Sequence, residues 1–194
     1  MRDIDIRRAL LECVREMHAN EPSTRYLEEL AICGGISRAD VAVVNGSLHC
    51  YEIKSKHDTL ARLPSQRAVY DRAFDYVTVV ASEAHIERIL TSELIPEWWG
   101  IMAARESEAQ ITLHVQREEK PNPEIEKVAL AQFLWREEVI CALEGLNLAR
   151  GNRSKNKNLL WRILAEAMTV DELGAIVREV LKSRLNWKAD KSLM

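Results

Sequence analysis

Hydrophobic positions recur with helical spacing at the start of the chain and with strand spacing further along it. Ile6, Leu10, Val14 and Met17 follow one another at three- to four-residue intervals, which predicts an amphipathic helix over residues 3–18. Short apolar runs rich in β-branched residues predict extended segments over residues 26–33, 41–44, 48–53, 76–81, 99–103 and 111–115. Between them, helical spacing returns over residues 62–74 and 83–94.

The pattern changes at Lys120-Pro121-Asn122-Pro123, whose two prolines are typical of a linker. Beyond it only helical spacing is found, over residues 124–146, 158–168 and 170–185. Strands with helices between them, followed by helices alone, predict the α/β class. We therefore expect an α/β core over residues 1–118 and a C-terminal helical region over residues 119–194.

Composition places the chain among ordinary globular proteins. Its 194 residues are 47% hydrophobic and 29% charged, and no apolar run approaches the ~20 residues that span a bilayer. The N-terminus has no long apolar stretch of the kind found in signal peptides. The four cysteines form no C-x-x-C pair, which argues against a zinc knuckle and a disulfide framework. These features predict a cytoplasmic protein with reduced thiols and no membrane partner.

Charge is unevenly distributed along the chain. Residues 150–194 contain ten Lys/Arg and five Asp/Glu, which leaves 17 and 25 of the totals of 27 and 30 for residues 1–149. Four cations in the segment 147–158 are suited to phosphate contacts: Arg150, Arg153, Lys155 and Lys157. A solubilising loop is the alternative interpretation of this segment.

The segment Arg38 to Lys56, RADVAVVNGSLHCYEIKSK, is the strongest candidate for a functional site. Asn45-Gly46 between two apolar runs predicts a β-hairpin with Asp40 at its start and Glu52 and Lys54 at its end. Side chains alternate along a strand, so Glu52 and Lys54 share one face. They could form a plain surface ion pair. If Asp40 lies close to Glu52, however, the two carboxylates repel unless a cation or proton is shared, and Mg²⁺ is suited to that role.

Hairpin geometry decides whether this site can form. A two-residue Asn45-Gly46 turn would pair Asp40 with Tyr51 and direct Glu52 to the opposite face. A shared metal site requires an odd-length or bulged loop, which we expect to contain Gly46 with positive φ.

Several motifs in this region resemble those of the PD-(D/E)XK nuclease superfamily. Asp40, eleven residues and then Glu52-x-Lys54 match its D-x(n)-(D/E)-x-K signature, with Ala39 in place of the usual proline. Gln66 and Tyr70 in QRAVY resemble the Q-x-x-x-Y motif of RecB-type members. The segment 38–70 is also similar to MmcB-like DNA repair proteins and to little-characterised bacterial and phage nuclease-like proteins. Glu29 resembles the acidic residue that many members carry upstream, with Glu28 as the alternative.

This resemblance implies a restriction-endonuclease-like mixed sheet flanked by helices and a Mg²⁺-dependent nuclease, with Mn²⁺ as an alternative metal. Asp40 and Glu52 would hold the metal with help from the Ile53 carbonyl and Glu29. Lys54 would orient the attacking water or stabilise the transition state. Gln66 and Tyr70 would support the site or the substrate, unless they are ordinary helix residues.

The expected partner is nucleic acid, with DNA preferred but RNA left open. Arg38 and Lys56, which flank the motif, are candidate phosphate contacts, and solvated surface positions are the alternative for both. A homodimer is also left open. A second hypothesis is a catalytically silent, nuclease-like module that binds DNA or a protein partner.

Overall fold

A six-stranded mixed sheet forms the centre of the protein. The computed structural model describes residues 1–107 and 110–184. The strands are β1 (Arg25–Ile32), β2 (Ser37–Val44), β3 (Leu48–Lys54), β4 (Tyr76–Ser82), β5 (Gly100–Glu106) and β6 (Ile111–Arg117). They lie side by side in chain order. The neighbours β3–β4 and β4–β5 are parallel, and the other three pairs are antiparallel.

Helices cover both faces of this sheet. They are α1 (Asp3–Met17), α2 (Leu63–Tyr70), α3 (Glu83–Thr91), α4 (Lys127–Ala131), α5 (Arg136–Gly145), α6 (Lys157–Ala167) and α7 (Val170–Ser183). The predicted α/β class, with a mixed sheet, flanking helices and C-terminal helices, is confirmed. The last residue of the helix predicted over 170–185, Leu185, lies outside the described residues.

The strand alternation divides the core into two clusters. Ile6, Leu10 and Val14 of α1 pack on one sheet face against a set that includes Val41, Val43, Tyr51 and Ile53. The opposite face, which includes Ala42, Val44, Leu48 and Cys50, packs with residues from α2–α7 in one larger cluster. Glu52 and Lys54 share strand parity with Leu48 and Cys50, so they face the side covered by α2.

One predicted helix is wrong in its extent. The hydrophobic pattern predicts a single helix over residues 124–146, but the chain breaks between α4 and α5. The break buries Phe133 and Leu134, and the Leu134 carbonyl accepts a 3.0 Å hydrogen bond from the Trp161 indole. Glu138 then accepts from the Trp135 backbone N–H at 2.6 Å, which caps the start of α5. Tertiary packing thus outweighs the continuous helical pattern here.

The predicted linker over residues 120–123 is held in place. The Asn122 side-chain amide donates to the carbonyl oxygens of Asp71 and Phe74 at 2.7 and 2.8 Å. Its backbone N–H donates to the Asp75 carbonyl at 2.9 Å. These bonds fasten the start of the helical region to the segment that follows α2.

Candidate functional site

The β2–β3 hairpin has the register that the proposed chemistry requires. Val44 pairs with Leu48 and Val41 pairs with Tyr51, so the connecting loop has three residues, Asn45-Gly46-Ser47. Continuing this register by one step places Asp40 opposite Glu52. Directly opposed residues share a sheet face, so both carboxylates lie on the face that also carries Lys54. The prediction of an odd-length loop is confirmed.

The conformation predicted for Gly46 is wrong, because Gly46 does not have a positive φ. Asn45 closes the loop instead. Its side-chain oxygen accepts hydrogen bonds from the Ser47 backbone N–H at 2.9 Å and from the Ser47 hydroxyl at 3.2 Å. Its backbone N–H donates to the Ser47 carbonyl at 3.1 Å. An asparagine side chain that mimics a backbone turn removes the need for a left-handed glycine.

Glu52 lies in a buried network with Lys54, Gln66 and Tyr70. Glu52 and Lys54 are each only 2% exposed, and the Lys54 ammonium donates to Glu52 Oε1 at 2.5 Å. The Gln66 amide nitrogen donates to the same oxygen at 2.5 Å, while its carbonyl oxygen accepts from Lys54 at 3.1 Å. The Tyr70 hydroxyl lies 2.7 Å from Glu52 Oε2. The structure thus brings together four of the predicted site residues.

Helix α2 positions Gln66 and Tyr70, because residues four apart lie on the same side of a helix. Burial raises the pKa of Tyr70, so its hydroxyl keeps its proton and can donate to the carboxylate. The same hydroxyl lies 2.8 Å from the carbonyl oxygen of Arg38 at the start of β2. Tyr70 therefore links α2 to both strands of the hairpin, at the end away from the turn.

Asp40 is held by contacts from two directions. The backbone N–H of Ile53 donates to its Oδ2 at 2.8 Å, and Arg7 Nη2 donates to its Oδ1 at 3.1 Å. Burial raises the pKa of Asp40 to about 7, and the neighbouring charge of Glu52 adds to the rise, whereas the Ile53 and Arg7 contacts oppose it. Burial and the nearby negative charge therefore disfavour the ionised form of Asp40, which is a setting that favours a shared cation.

Arg7 is a site residue that the sequence pattern did not reveal. It lies on α1, is only 7% exposed, and donates to the Asp40 carbonyl oxygen at 2.6 Å as well as to its carboxylate. It also forms ion pairs with Asp3 at 3.3 Å and Glu29 at 3.0 Å. The sequence contains no signal for these contacts, because Arg7 occupies an ordinary polar position beside the apolar stripe of a helix.

Glu29 lies at the site, where its carboxylate pairs with two cations. The β1–β2 register places it opposite Asp40, and its carboxylate contacts Arg7 at 3.0 Å and Arg38 at 2.6 Å. It has φ of 60°, an uncommon conformation for a residue other than glycine. Glu28, the alternative upstream acid, lies 4.0 Å from Arg7. A metal-binding role for Glu29 stays a prediction, and the geometry places Glu29 rather than Glu28 in the cleft.

These residues line an open cleft of about 650 Å³. Asp40, Glu52, Ile53, Lys54 and Gln66 form part of its wall, together with Glu29 and Arg38. The wall also includes polar residues that the sequence did not single out as site residues, among them Asp3, Arg7, Arg62 and Ser65. Lys56 is exposed but does not line the cleft. The Arg38 side chain is 60% exposed, although its Nε pairs with Glu29.

The basic segment between α5 and α6 is separate from the cleft. Arg150 and Arg153 are exposed, and Arg153 pairs with Glu144 at 2.6 Å. The Lys157 ammonium lies 4.7 Å from the centre of the Trp161 ring. None of residues 147–157, all of them described, lines the cleft. The structure therefore does not join these cations to the carboxylates, and their contact with phosphate stays a prediction.

The carboxylates of Asp40 and Glu52 still have lone pairs with which they can bind a metal ion. Two carboxylate oxygens offer about four lone-pair sites. Glu52 receives three donors and Asp40 receives two, so both can accept further bonds. In the described part of the chain, no set of three or more His, Cys, Asp or Glu side chains is arranged to hold a metal. The donor set fits Mg²⁺, which commonly uses one or two carboxylates and keeps several waters.

Comparison with known proteins identifies the family. The model of the family described as bacteriophage P4 protein cII matches residues 1–193. The chain belongs to this family. A curated member, protein cII of Enterobacteria phage P4, is 22% identical over 184 residues, which cover 95% of this chain and 68% of that protein. This family match supports the similarity to phage proteins that the segment 38–70 predicts.

No solved structure matches the chain significantly. Within residues 1–107 and 110–184, no helix is long and apolar enough to cross a bilayer.

Proposed function

We propose that the protein is a divalent-metal-dependent nuclease that hydrolyses DNA phosphodiester bonds in the cleft formed by Asp40, Glu52 and Lys54. The observation that carries the proposal is the three-residue hairpin loop, because it places Asp40 opposite Glu52 on one sheet face. The resemblance of these residues to the PD-(D/E)XK signature supports the same chemistry. Arg38 lies at the same cleft with most of its side chain exposed, which suits contact with a phosphate.

Each side chain of the cleft would have a separate role in the reaction. Asp40 and Glu52, with the Ile53 carbonyl, would hold Mg²⁺ or Mn²⁺, and a bound metal of this kind activates water and neutralises developing phosphate charge. Lys54 lies against Glu52 and would stabilise the negative charge of the transition state. Gln66 and Tyr70 orient the Glu52 carboxylate from α2. Arg7 fixes Asp40 through both its carboxylate and its carbonyl oxygen.

The test of this function is metal-dependent cleavage. Labelled single-stranded DNA, double-stranded DNA and RNA are incubated with the protein in EDTA, in Mg²⁺ and in Mn²⁺, and the products are separated on denaturing gels. We expect cleavage of DNA with either metal and none in EDTA. Cleavage that persists unchanged in EDTA, or no cleavage of any DNA, would contradict the proposal. Cleavage of RNA alone would replace the proposed substrate.

A catalytically silent module that binds DNA or a protein partner is the second candidate. The observation that favours it is that protein donors already contact all four carboxylate oxygens of Asp40 and Glu52. Arg7 in particular supplies a positive charge beside Asp40. Titration calorimetry with Mg²⁺ and Mn²⁺ separates the two candidates, because the silent module would show no metal binding that depends on Asp40.

The basic segment offers a separate prediction about nucleic-acid binding. Replacing all three of Arg153, Lys155 and Lys157 by Gln should weaken nucleic-acid binding by the same factor whatever the sequence of the nucleic acid. The slope of log affinity against log salt concentration should fall by about 0.7–0.9 for each phosphate that the variant no longer neutralises. Binding is measured by fluorescence anisotropy in EDTA at several salt concentrations. Arg153 already pairs with Glu144, so an unchanged slope would assign these cations to solubility.

A further inference from the structure

The β1–β2 turn presents an exposed apolar side chain at the mouth of the cleft. Ile32 pairs with Ser37, so the turn consists of Cys33, Gly34, Gly35 and Ile36. Ile36 is 76% exposed, more than any other large hydrophobic residue in the described part of the chain. It lines the same cleft as Asp40 and Glu52. An isoleucine side chain stabilises a fold by burying its apolar area, so the exposed Ile36 side chain contributes little to the stability of this one.

The turn holds Ile36 in a defined position. Cys33, Gly34 and Gly35 all have positive φ, at 51°, 70° and 96°. Cys33 is buried in the large core cluster, which fixes the start of the turn. A Cβ placed on Gly34 would lie 4.0 Å from the Trp161 ring, and the Trp161 indole is itself bonded to Leu134. The start of the turn is therefore anchored in the core by Cys33, whereas Ile36 at its end is exposed.

Polar groups suited to nucleic acid flank this side chain. Ser37 and Arg38 follow it directly and line the cleft, as does the exposed Arg62. A DNA backbone bound at these cations would bring its bases close to Ile36. Proteins that distort DNA commonly insert an apolar side chain such as isoleucine between neighbouring bases, which unstacks them.

We propose that Ile36 is a wedge that enters the base stack beside the phosphate bound in the cleft. The favoured substrate class is therefore DNA whose stacking is already weakened, as at an unpaired base. Such DNA has already lost part of the stacking that the wedge must break, whereas a regular duplex has to be unstacked on binding. This inference rests on the proposed function for the place where DNA binds, but it does not depend on cleavage.

The test compares two duplexes in EDTA, one fully paired and one with a single unpaired base at its centre. Each carries 2-aminopurine beside the central position, because the fluorescence of this base rises when it unstacks. We expect the wild-type protein to bind the second duplex about tenfold more tightly and to raise its fluorescence. An affinity ratio of this size is expected because the unpaired base removes part of the free-energy cost of unstacking one base step. Affinity is measured by anisotropy.

Matched variants assign the effect to the side chain. Ile36→Ala should lose both the preference and the fluorescence rise while keeping salt-dependent binding, and Ile36→Leu should retain them. Leu90→Ala, which removes an exposed leucine on α3, should behave as the wild type. Thermal unfolding of each variant confirms that it is folded.

The outcomes separate the wedge from the nuclease activity. Equal preference and fluorescence in the wild type and Ile36→Ala would overturn the wedge, even if Mg²⁺-dependent cleavage is observed. Failure of the wild type to bind either duplex would also overturn it. Unstacking that depends on Ile36, found without cleavage in Mg²⁺, would support the wedge and contradict the nuclease proposal.

Discussion

Asp40→Asn is expected to reduce Mg²⁺-dependent cleavage of DNA by about 100-fold or more, the loss typical of removing one preorganised electrostatic group from an active site. The substitution removes a charged oxygen ligand but keeps an oxygen that can accept from the Ile53 N–H. Asp40 is also 21% exposed, so its neutral replacement is tolerated better than one deep in the core. Initial cleavage rates and the affinity for Mg²⁺ by calorimetry are the measurements.

Glu87→Gln is the matched control for the loss of one negative charge. Glu87 is exposed on α3 and does not line the cleft, so its replacement should leave both measurements unchanged. Thermal unfolding of Asp40→Asn shows whether the fold is retained. Cleavage by a folded Asp40→Asn protein at the wild-type rate would remove Asp40 from the proposed metal site.

Glu52→Gln is expected to lower the free energy of unfolding by about 3–5 kcal/mol, because it leaves the buried Lys54 ammonium without its charged partner. The new amide group would also direct an N–H towards one of the three donors that now meet the carboxylate. Loss of cleavage in this variant would therefore mix a chemical effect with a structural one. Urea denaturation measures the loss of stability.

A double variant separates the two effects. Replacing a buried ion pair by well-packed hydrophobic residues of similar volume is often neutral for stability, and removing both charges leaves no unpaired charge in the core. Glu52→Gln combined with Lys54→Met should therefore recover most of the stability lost by Glu52→Gln alone, and it should remain inactive. If the two substitutions lower stability additively instead, the pair is not energetically coupled and the buried-charge explanation fails.

The hairpin shows how far the sequence alone could be interpreted. The requirement that Asp40 and Glu52 share a face predicted an odd-length loop, and the register confirms it. The conformation of Gly46 was predicted wrongly because Asn45 can close a loop through its own side chain, a local alternative that composition does not distinguish. Strand alternation determines which residues face the cleft, whereas the turn geometry depends on the hydrogen bonds between Asn45 and Ser47.

Two other features depend on contacts between distant parts of the chain. Arg7 reaches Asp40 across 33 residues of sequence, and only the packing of α1 on the sheet brings them together. The break before α5 depends in the same way on Trp161, which bonds to the carbonyl of Leu134. Periodicity along the chain describes local spacing and contains no information about either contact.

The agreement between strand order in space and in the chain has a consequence for synthesis on the ribosome. Each new strand can pair with the one that emerged just before it, so the sheet can grow without waiting for distant segments. Asp40, Glu52, Gln66 and Tyr70 all lie within the first 70 residues, so they are synthesised before half of the chain is made. The helices that complete the larger core cluster come last, however. Until they emerge, this apolar face of the nascent sheet is covered only in part, by α2 and α3, which is the stage most exposed to aggregation.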